Sequence, residues 1–342
     1  MLNEEVESFL QDVLSKKRRT DLSYLIDGYA LCSRSEGKSP NYIYLVTISA
    51  RLFLRYLEEK GLSTEAAEID TQLIRRFILH LQGVNRFAEH PFAKPQDSGL
   101  SGHTINTYMR SLRAFWCWLE DEGIIDKNPF CQLRIPKPPK KVIPTFSEEQ
   151  IRALLAQANT SSPTGFRNYT MMLLLLDTMM RVSELTSCQM EALSFEGRCL
   201  KIWGKGSKER IVPFGRTVQK ALWRYVTFYR PEPQILHQDN VFLTAEGRPM
   251  TKNRVEAFLK AYGKKVGIRG VRVSPHTFRH TGAVAFLRNG GDLFTLQRIM
   301  GHSSLEVLRG YVNLSLADLS RVQAKASPLD NLRLPMSRVQ RA

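Results

Sequence analysis

Five prolines divide this sequence into two parts. They stand at positions 129, 136, 138, 139 and 144 of the stretch DKNPFCQLRIPKPPKKVIP, residues 126–144. Proline fixes φ and has no N–H to donate, so this stretch disfavours a helix and favours an extended, stiff connector. A chain of 342 residues is long enough to build two hydrophobic cores. We therefore predict two domains joined by a basic, proline-rich linker, residues 129–144.

The part before the linker is predicted to be entirely helical. Apolar residues at helical spacing predict an amphipathic helix in the N-terminal segment, residues 1–19, and a helical domain over residues 20–128. The helices of that domain are expected at about 22–35, 39–61, 70–81 and 101–123. Residues 85–99 hold two prolines and show no periodicity, which predicts a loop. The aromatic residues Phe115, Trp116 and Trp118 are interpreted as core rather than as a platform for stacked bases.

The part after the linker is predicted to be mixed. Residues 199–203 and 209–214 have the pattern of two short strands, and the glycine-containing segment 204–208 between them predicts a hairpin turn. Helical patterns occupy most of the rest, at about 147–155, 166–180, 217–228, 253–266, 275–288, 293–300 and 316–325. The expected fold is therefore mainly α with a small β-hairpin or sheet in a C-terminal domain, residues 145–325, followed by a tail, residues 326–342.

The composition narrows the choice of partner. The formal net charge of +16 favours a polyanion, most simply nucleic acid, although a basic protein without a nucleic-acid role is the plainer alternative. The five cysteines are scattered without a CxxC pair, so they predict buried free thiols rather than a zinc site or disulfides. The acidic N-terminus has no long apolar run, and neither a signal peptide nor a membrane partner is expected.

The segment from Ser274 to Tyr311 carries the densest group of candidate functional residues. Ser274 and the proline after it predict a helix start, and His276, Arg279 and His280 then share one face of that helix. His302 follows the glycine that ends the next helix, and Tyr311 comes nine residues later. Cationic groups can hold a phosphate, a histidine can accept or donate a proton, and a tyrosine can attack the phosphate. A zinc pair formed by the two histidines lacks a third ligand at a typical spacing.

Two more basic residues lie upstream, and each has a structural alternative. Arg181 follows a very apolar helix, where a desolvated guanidinium needs a partner such as Glu184 or a bound phosphate. Lys205 stands between two glycines at the predicted hairpin tip, where it serves either solubility or a closely approaching ligand. Lys208 and Arg210 add charge and look less constrained.

Four motifs together resemble the signature of the tyrosine recombinase (phage integrase) family. They are MRVSEL, GKGSKERIVP, HTFRH and MGHSSLEVLRGY, and the resemblance extends from about Thr20 to Lys325. It implies a two-domain clamp around duplex DNA, built from a helical, SAM-like core-binding domain and an α+β catalytic domain. It also implies a DNA-bound homotetramer, no cofactor and no metal, a cytoplasmic and nucleoid-associated location, and an accessory directionality protein as an open question.

The resemblance implies a role for each of six residues. Arg181 and Arg279 would hold the scissile phosphate, and His276 would act as hydrogen-bond donor or general base. Lys205 would protonate the leaving 5′-oxygen, and His302 would neutralise a non-bridging oxygen. Tyr311 would attack, which leaves a 3′-phosphotyrosine and a free 5′-hydroxyl. Rejoining by a partner strand would produce a Holliday junction, as in integration, excision, transposition or dimer resolution.

The sequence also departs from the family pattern. The glycine common two residues before the first arginine is Met179 here, and Val307 and Leu308 replace two threonines. No arm-binding domain is expected before Thr20, as in the Xer and Cre types. Two other functions stay open: a type IB topoisomerase-like nicking-closing enzyme and a non-catalytic architectural DNA-binding protein.

Overall fold

The chain folds into two compact units that divide between residues 141 and 142, inside the predicted linker. The computed structural model describes residues 20–86, 96–136, 144–203, 209–235, 238–301 and 323. The predicted N-terminal helix and C-terminal tail lie outside these residues. So does the predicted helix 316–325, apart from Gln323.

The described residues of the first unit form four long helices. Their bounds are α1 Leu22–Ser35, α2 Pro40–Glu59, α3 Thr71–Gly83 and α4 Gly102–Asp121. Each begins where a serine or aspartate side chain accepts a hydrogen bond from a backbone N–H of the first turn; these residues are Asp21, Ser39, Asp70 and Ser101. A short 3₁₀ helix, Ala66–Glu68, precedes α3. The four predicted helices are confirmed.

Aromatic side chains fill the core of this unit. Phe53 of α2 packs edge-on against Phe77 of α3 and Trp116 of α4, with ring centroids 5.0 and 5.6 Å apart. Phe115, Trp116 and Trp118 are all buried, so the prediction that they belong to the core is confirmed. Such rings dominate the apolar area that a small helical unit can remove from water.

Two predictions for this unit need correction. The described ends of the segment 85–99 are paired rather than irregular, because β1 (Asn85–Arg86) and β2 (Gln96–Gly99) form an antiparallel ladder. The start of the predicted linker is also not an extended connector. Phe130 and Leu133 are buried in the core of the first unit. That apolar burial packs this segment against the first unit, although Pro129 disfavours a helix there.

The second unit combines helices with one small sheet. The α-helices within its described residues are α5 Glu148–Ala156, α6 Pro163–Thr178, α7 Val182–Ser187, α8 Arg216–Arg224, α9 Lys252–Val266, α10 Pro275–Arg288 and α11 Leu293–Met300. A five-residue π-helical turn, Tyr225–Tyr229, extends α8. At the start of α5, Ser147 and Gln150 form the reciprocal hydrogen bonds of a capping box.

The sheet has three antiparallel strands. β4 (Cys199–Trp203) pairs with β5 (Glu209–Pro213), as the sequence predicts, and β3 (Leu193–Ser194) adds a third strand that the sequence analysis missed. β3 is only two residues long, too short to show a period-two pattern. The fold class is confirmed: mainly α with a small sheet in the second unit.

Helix α6 forms the centre of the second core. Its residues Met171, Met172, Leu174 and Leu175 are completely buried, and α10 packs against it. The two helices approach closely at Gly282, where an added Cβ would lie 2.1 Å from the carbonyl oxygen of Leu176. This contact places the middle of α10 beside the end of α6, and Arg279, one turn earlier in α10, reaches the carbonyl oxygen of Met179.

The structure also shows the state of the cysteines and whether a described helix could span a membrane. All five cysteines are free thiols, and Cys32 and Cys188 are buried, but Cys131 is exposed, contrary to the expectation of buried thiols. Among the described residues, no helix is both long enough and apolar enough to cross a bilayer.

Candidate active site

The structure describes three of the six predicted site residues. Arg181, His276 and Arg279 lie in the second unit at the adjoining ends of α6, α10 and α11. Lys205, His302 and Tyr311 lie outside the described residues. The described part of the predicted site therefore consists of two arginines and one histidine.

Arg181 is positioned by a sharp break between two helices. Helix α6 ends at Met179, whose φ of 52° places a non-glycine residue in the left-handed region. Arg181 is then the N-cap of α7, and its backbone N–H donates to Glu184 at 2.7 Å. The Arg181 side chain reaches Glu184 in α7, and 39% of that side chain is exposed.

Glu184 is a buried carboxylate that binds two arginines. It is 4% exposed, and its Oε1 accepts from Nη1 of Arg181 at 2.9 Å. Arg210 of β5 donates to both of its oxygens, each at 2.8 Å. Burial raises the pKa of Glu184, but the hydrogen bonds from Arg210 and Arg181 outweigh it and hold the pKa below its ordinary value. One carboxylate thus faces two guanidiniums, so these three residues carry a net positive charge.

Arg279 binds the ends of two helices from within the core. It is 4% exposed, and it donates to the carbonyl oxygen of Met179 and, at 3.0 Å, to that of Met300. Both carbonyls lie where a helix ends and its intrahelical hydrogen bonds stop, so a cation is favoured there. Arg279 therefore ties the end of α6 to the end of α11.

The two histidines of α10 lie in different surroundings. His276 is exposed, whereas His280 is buried. Partial desolvation, followed by the charge of Arg279, holds the pKa of His276 below its ordinary value. A neutral His276 is therefore the dominant form at pH 7 and can accept a proton.

The prediction that Arg210 is loosely constrained is wrong. Its side chain is 13% exposed and donates three hydrogen bonds. Two go to Glu184, and one goes to the carbonyl oxygen of Ile299 in α11 at 3.0 Å. Only its position next to other basic residues could be read from the sequence. Its partners are 26 and 89 positions away, so no local pattern could have identified them.

A metal centre finds no support in the described part of the chain. There, no three His, Cys, Asp or Glu side chains are grouped so that they could hold a metal ion. The groups gathered here are guanidiniums, which bind phosphate oxygens through pairs of parallel N–H donors.

Comparison with known proteins identifies the family. Residues 144–317 match the phage integrase family. The tyrosine recombinase XerC of Bacillus pumilus (strain SAFR-032) is 32% identical over 291 residues, which cover 81% of this chain and 95% of that protein. The chain belongs to the phage integrase family. A second relative, the tyrosine recombinase XerD of Lacticaseibacillus casei, is 32% identical over 286 residues, with 81% of this chain and 97% of that protein covered.

Solved structures of a transposon integrase and a site-specific recombinase share the fold. The Tn1549 transposon integrase in complex with transposon right end DNA has a TM-score of 0.67 at 22% identity, covering 90% of this chain and 99% of that one. The XerH site-specific recombinase bound to difH, in its post-cleavage complex, also has a TM-score of 0.67, at 18% identity, covering 95% and 89%. The family match includes Arg181, Arg210, His276 and Arg279, so all the described site residues lie within it.

Proposed function

We propose that this member of the phage integrase family is a site-specific recombinase that cleaves and rejoins DNA strands through a 3′-phosphotyrosine. The observation that carries the proposal is the meeting of Arg181 and Arg279 around the end of α11, immediately before His302 in the sequence. The relatives named tyrosine recombinases, and the solved complexes with DNA, support the same chemistry.

The proposed reaction exchanges one phosphate ester for another. The phenol oxygen of Tyr311 attacks the scissile phosphorus while the bond from phosphorus to the 5′-oxygen breaks. His276 accepts the phenol proton, and Lys205 donates a proton to the departing 5′-oxygen. Because the phosphotyrosine keeps the ester, a 5′-hydroxyl can reverse the attack and rejoin a strand with no external energy source.

Charge neutralisation explains the choice of residues. The developing charge on the non-bridging oxygens is stabilised by donors that are already in place, here Arg181, Arg279 and His302. Arg181 suits this role because its side chain is partly exposed while Glu184 fixes its orientation. Arg279 suits it because two helix-end carbonyls hold it rigidly.

The proposal extends to the whole chain. The helical unit, residues 20–128, would bind DNA, and exposed arginines on α2 and α4 would supply phosphate contacts; they are Arg51, Arg55, Arg110 and Arg113. Residues 145–325 would form the catalytic domain. Four copies would assemble on two DNA sites, since exchange needs two pairs of cleaved strands.

The test uses nicked suicide duplexes made from the DNA that flanks the gene. Wild-type protein should form an adduct that survives SDS, and peptide mass spectrometry should place the DNA on Tyr311. Tyr311→Phe should bind the same duplex and form no adduct. Tyr44→Phe, which removes the phenol hydroxyl of an exposed tyrosine of α2, is the control and should still form the adduct.

Two outcomes would contradict the proposal. An adduct that persists in Tyr311→Phe would remove Tyr311 from its role. Relaxation of supercoiled DNA at single sites, with no strand exchange between two sites, would favour the topoisomerase-like alternative.

A further inference from the structure

Arg210 has a geometry that a lysine cannot reproduce. Its two terminal nitrogens donate in parallel to the two oxygens of Glu184, and its Nε donates to the carbonyl oxygen of Ile299. A guanidinium presents these donors in one rigid plane, whereas an ammonium is a point charge on a flexible stem. Arg210 therefore connects β5, α7 and α11 in a fixed geometry.

Gly301 shows how closely Arg210 approaches the end of α11. Gly301 caps the helix in the left-handed region, with a φ of 63°. A Cβ on this residue would lie 2.9 Å from Cζ of Arg210, closer than side-chain carbons normally come. The guanidinium thus occupies the space beside Gly301, and the chain continues from there to His302.

Three arginines share the end of α11. The carbonyl of Ile299 accepts from Arg210, that of Met300 accepts from Arg279, and that of Gly301 lies 3.5 Å from Nη2 of Arg181. Arg181 and Arg279 are the two assigned to the phosphate. Arg210 is the member of the trio that donates both terminal nitrogens to Glu184, so these donors are already used within the protein.

We propose that Arg210 is a positioning residue that fixes the end of α11 and the orientation of Arg181, and so aligns the groups that surround the scissile phosphate. This inference rests on the proposed function. Arg210 acts through Glu184 and through the Ile299 carbonyl and does not itself touch DNA. Its loss should therefore slow strand cleavage far more than it weakens DNA binding.

The experiment measures binding and cleavage separately. Single-turnover adduct formation on the nicked suicide duplex is followed at saturating protein, and the Kd for the same duplex is measured in the Tyr311→Phe background. For Arg210→Lys we expect a Kd close to wild type and a cleavage rate lower by on the order of 10²-fold, the effect of a misplaced reacting group. Arg152→Gln, which breaks an exposed pair with Glu148, is the control and should change neither.

A double substitution tests the contact itself. Gly301→Ala should slow cleavage in the wild-type background, because its Cβ displaces Arg210. In the Arg210→Ala background the same change should reduce the cleavage rate much less. Gly267→Ala, at another left-handed cap with open space around it, controls for backbone strain and should leave the cleavage rate near wild type.

The outcomes separate this inference from the proposed function. If the wild-type protein forms no adduct that depends on Tyr311, the proposed function fails. If it does, and Arg210→Lys cleaves as fast as wild type, the positioning role alone is overturned. A parallel loss of binding and cleavage, or additive effects of the Gly301 and Arg210 changes, would also overturn it.

Discussion

At the scale of single residues, Glu184 decides the electrostatics of the site. Its carboxylate binds both Arg181 and Arg210, and it is almost completely buried. Burying a carboxylate is costly unless its partners are well placed, and removing one partner leaves an uncompensated charge. Glu184 therefore stabilises the second unit only when Arg181 and Arg210 are both present.

We predict that Glu184→Gln lowers the free energy of unfolding by about 3 kcal/mol at pH 7, because two guanidiniums lose their counter-charge. The pKa of Glu184 is lowered by folding, so its contribution is present above the unfolded value of 4.5 and is lost as the pH falls through the folded pKa. Urea titrations across pH should show the difference shrinking below that value. Glu148→Gln, in an exposed pair with Arg152, should cost under about 0.5 kcal/mol at any pH.

Equal losses of unfolding free energy in Glu184→Gln and Glu148→Gln would contradict this view of the site.

Only part of this arrangement could be predicted from the sequence. The Arg181–Glu184 pair was predictable, since three positions on a helix start bring the two together. Arg210 was not, because its pairing depends on how β5 packs beside α7.

At the scale of elements, the break between α6 and α7 depends on a residue in an unfavourable conformation. Met179 has a φ of 52°, in the left-handed region that favours glycine. Its side chain is 2% exposed and packs with Ala283, Leu296 and Met300 in a small cluster. Two effects therefore oppose one another here: backbone strain and apolar burial.

We predict that Met179→Gly destabilises the protein. Glycine relieves about 1–2 kcal/mol of left-handed strain but adds about 0.5–1 kcal/mol of chain entropy, a small net gain. Removal of the buried methionine side chain costs about 3 kcal/mol, so burial outweighs strain and the net loss is about 2 kcal/mol. Arg198→Gly makes the same backbone change at an exposed residue with a φ of 48° and should stabilise slightly. Urea unfolding of both variants measures whether each change raises or lowers the free energy of unfolding.

A stabilised Met179→Gly variant would mean that the cluster around Met179 contributes little. The helices themselves were largely predictable, because serine and aspartate N-caps and proline at the first helical position mark where they begin. The left-handed Met179 was not, since propensity argues against it and only the tertiary cluster favours it. The two-residue strands β1 and β3 were missed because their pairing is set by their neighbours rather than by their own pattern.

At the scale of the whole molecule, the net charge of +16 predicts strongly salt-dependent binding to duplex DNA. The sequence leaves open whether the linker lysines contribute to this binding or are only solvated. Each lysine that neutralises a phosphate adds about 0.9 to the slope of log K against log salt. Charge can be counted from the sequence, but its placement along a phosphate backbone cannot.

We predict that the linker lysines contact the phosphate backbone of the duplex. Substitution of Lys137, Lys140 and Lys141 by glutamine should reduce the salt slope by about 2.7, measured by anisotropy on a mixed-sequence duplex in the Tyr311→Phe background. The matched control removes the same charge from exposed lysines of α9; they are Lys260, Lys264 and Lys265. If both triple variants reduce the slope equally, the effect is one of net charge alone. If the linker variant leaves the slope unchanged, its lysines are merely solvated, and recognition of the duplex rests on the two folded units.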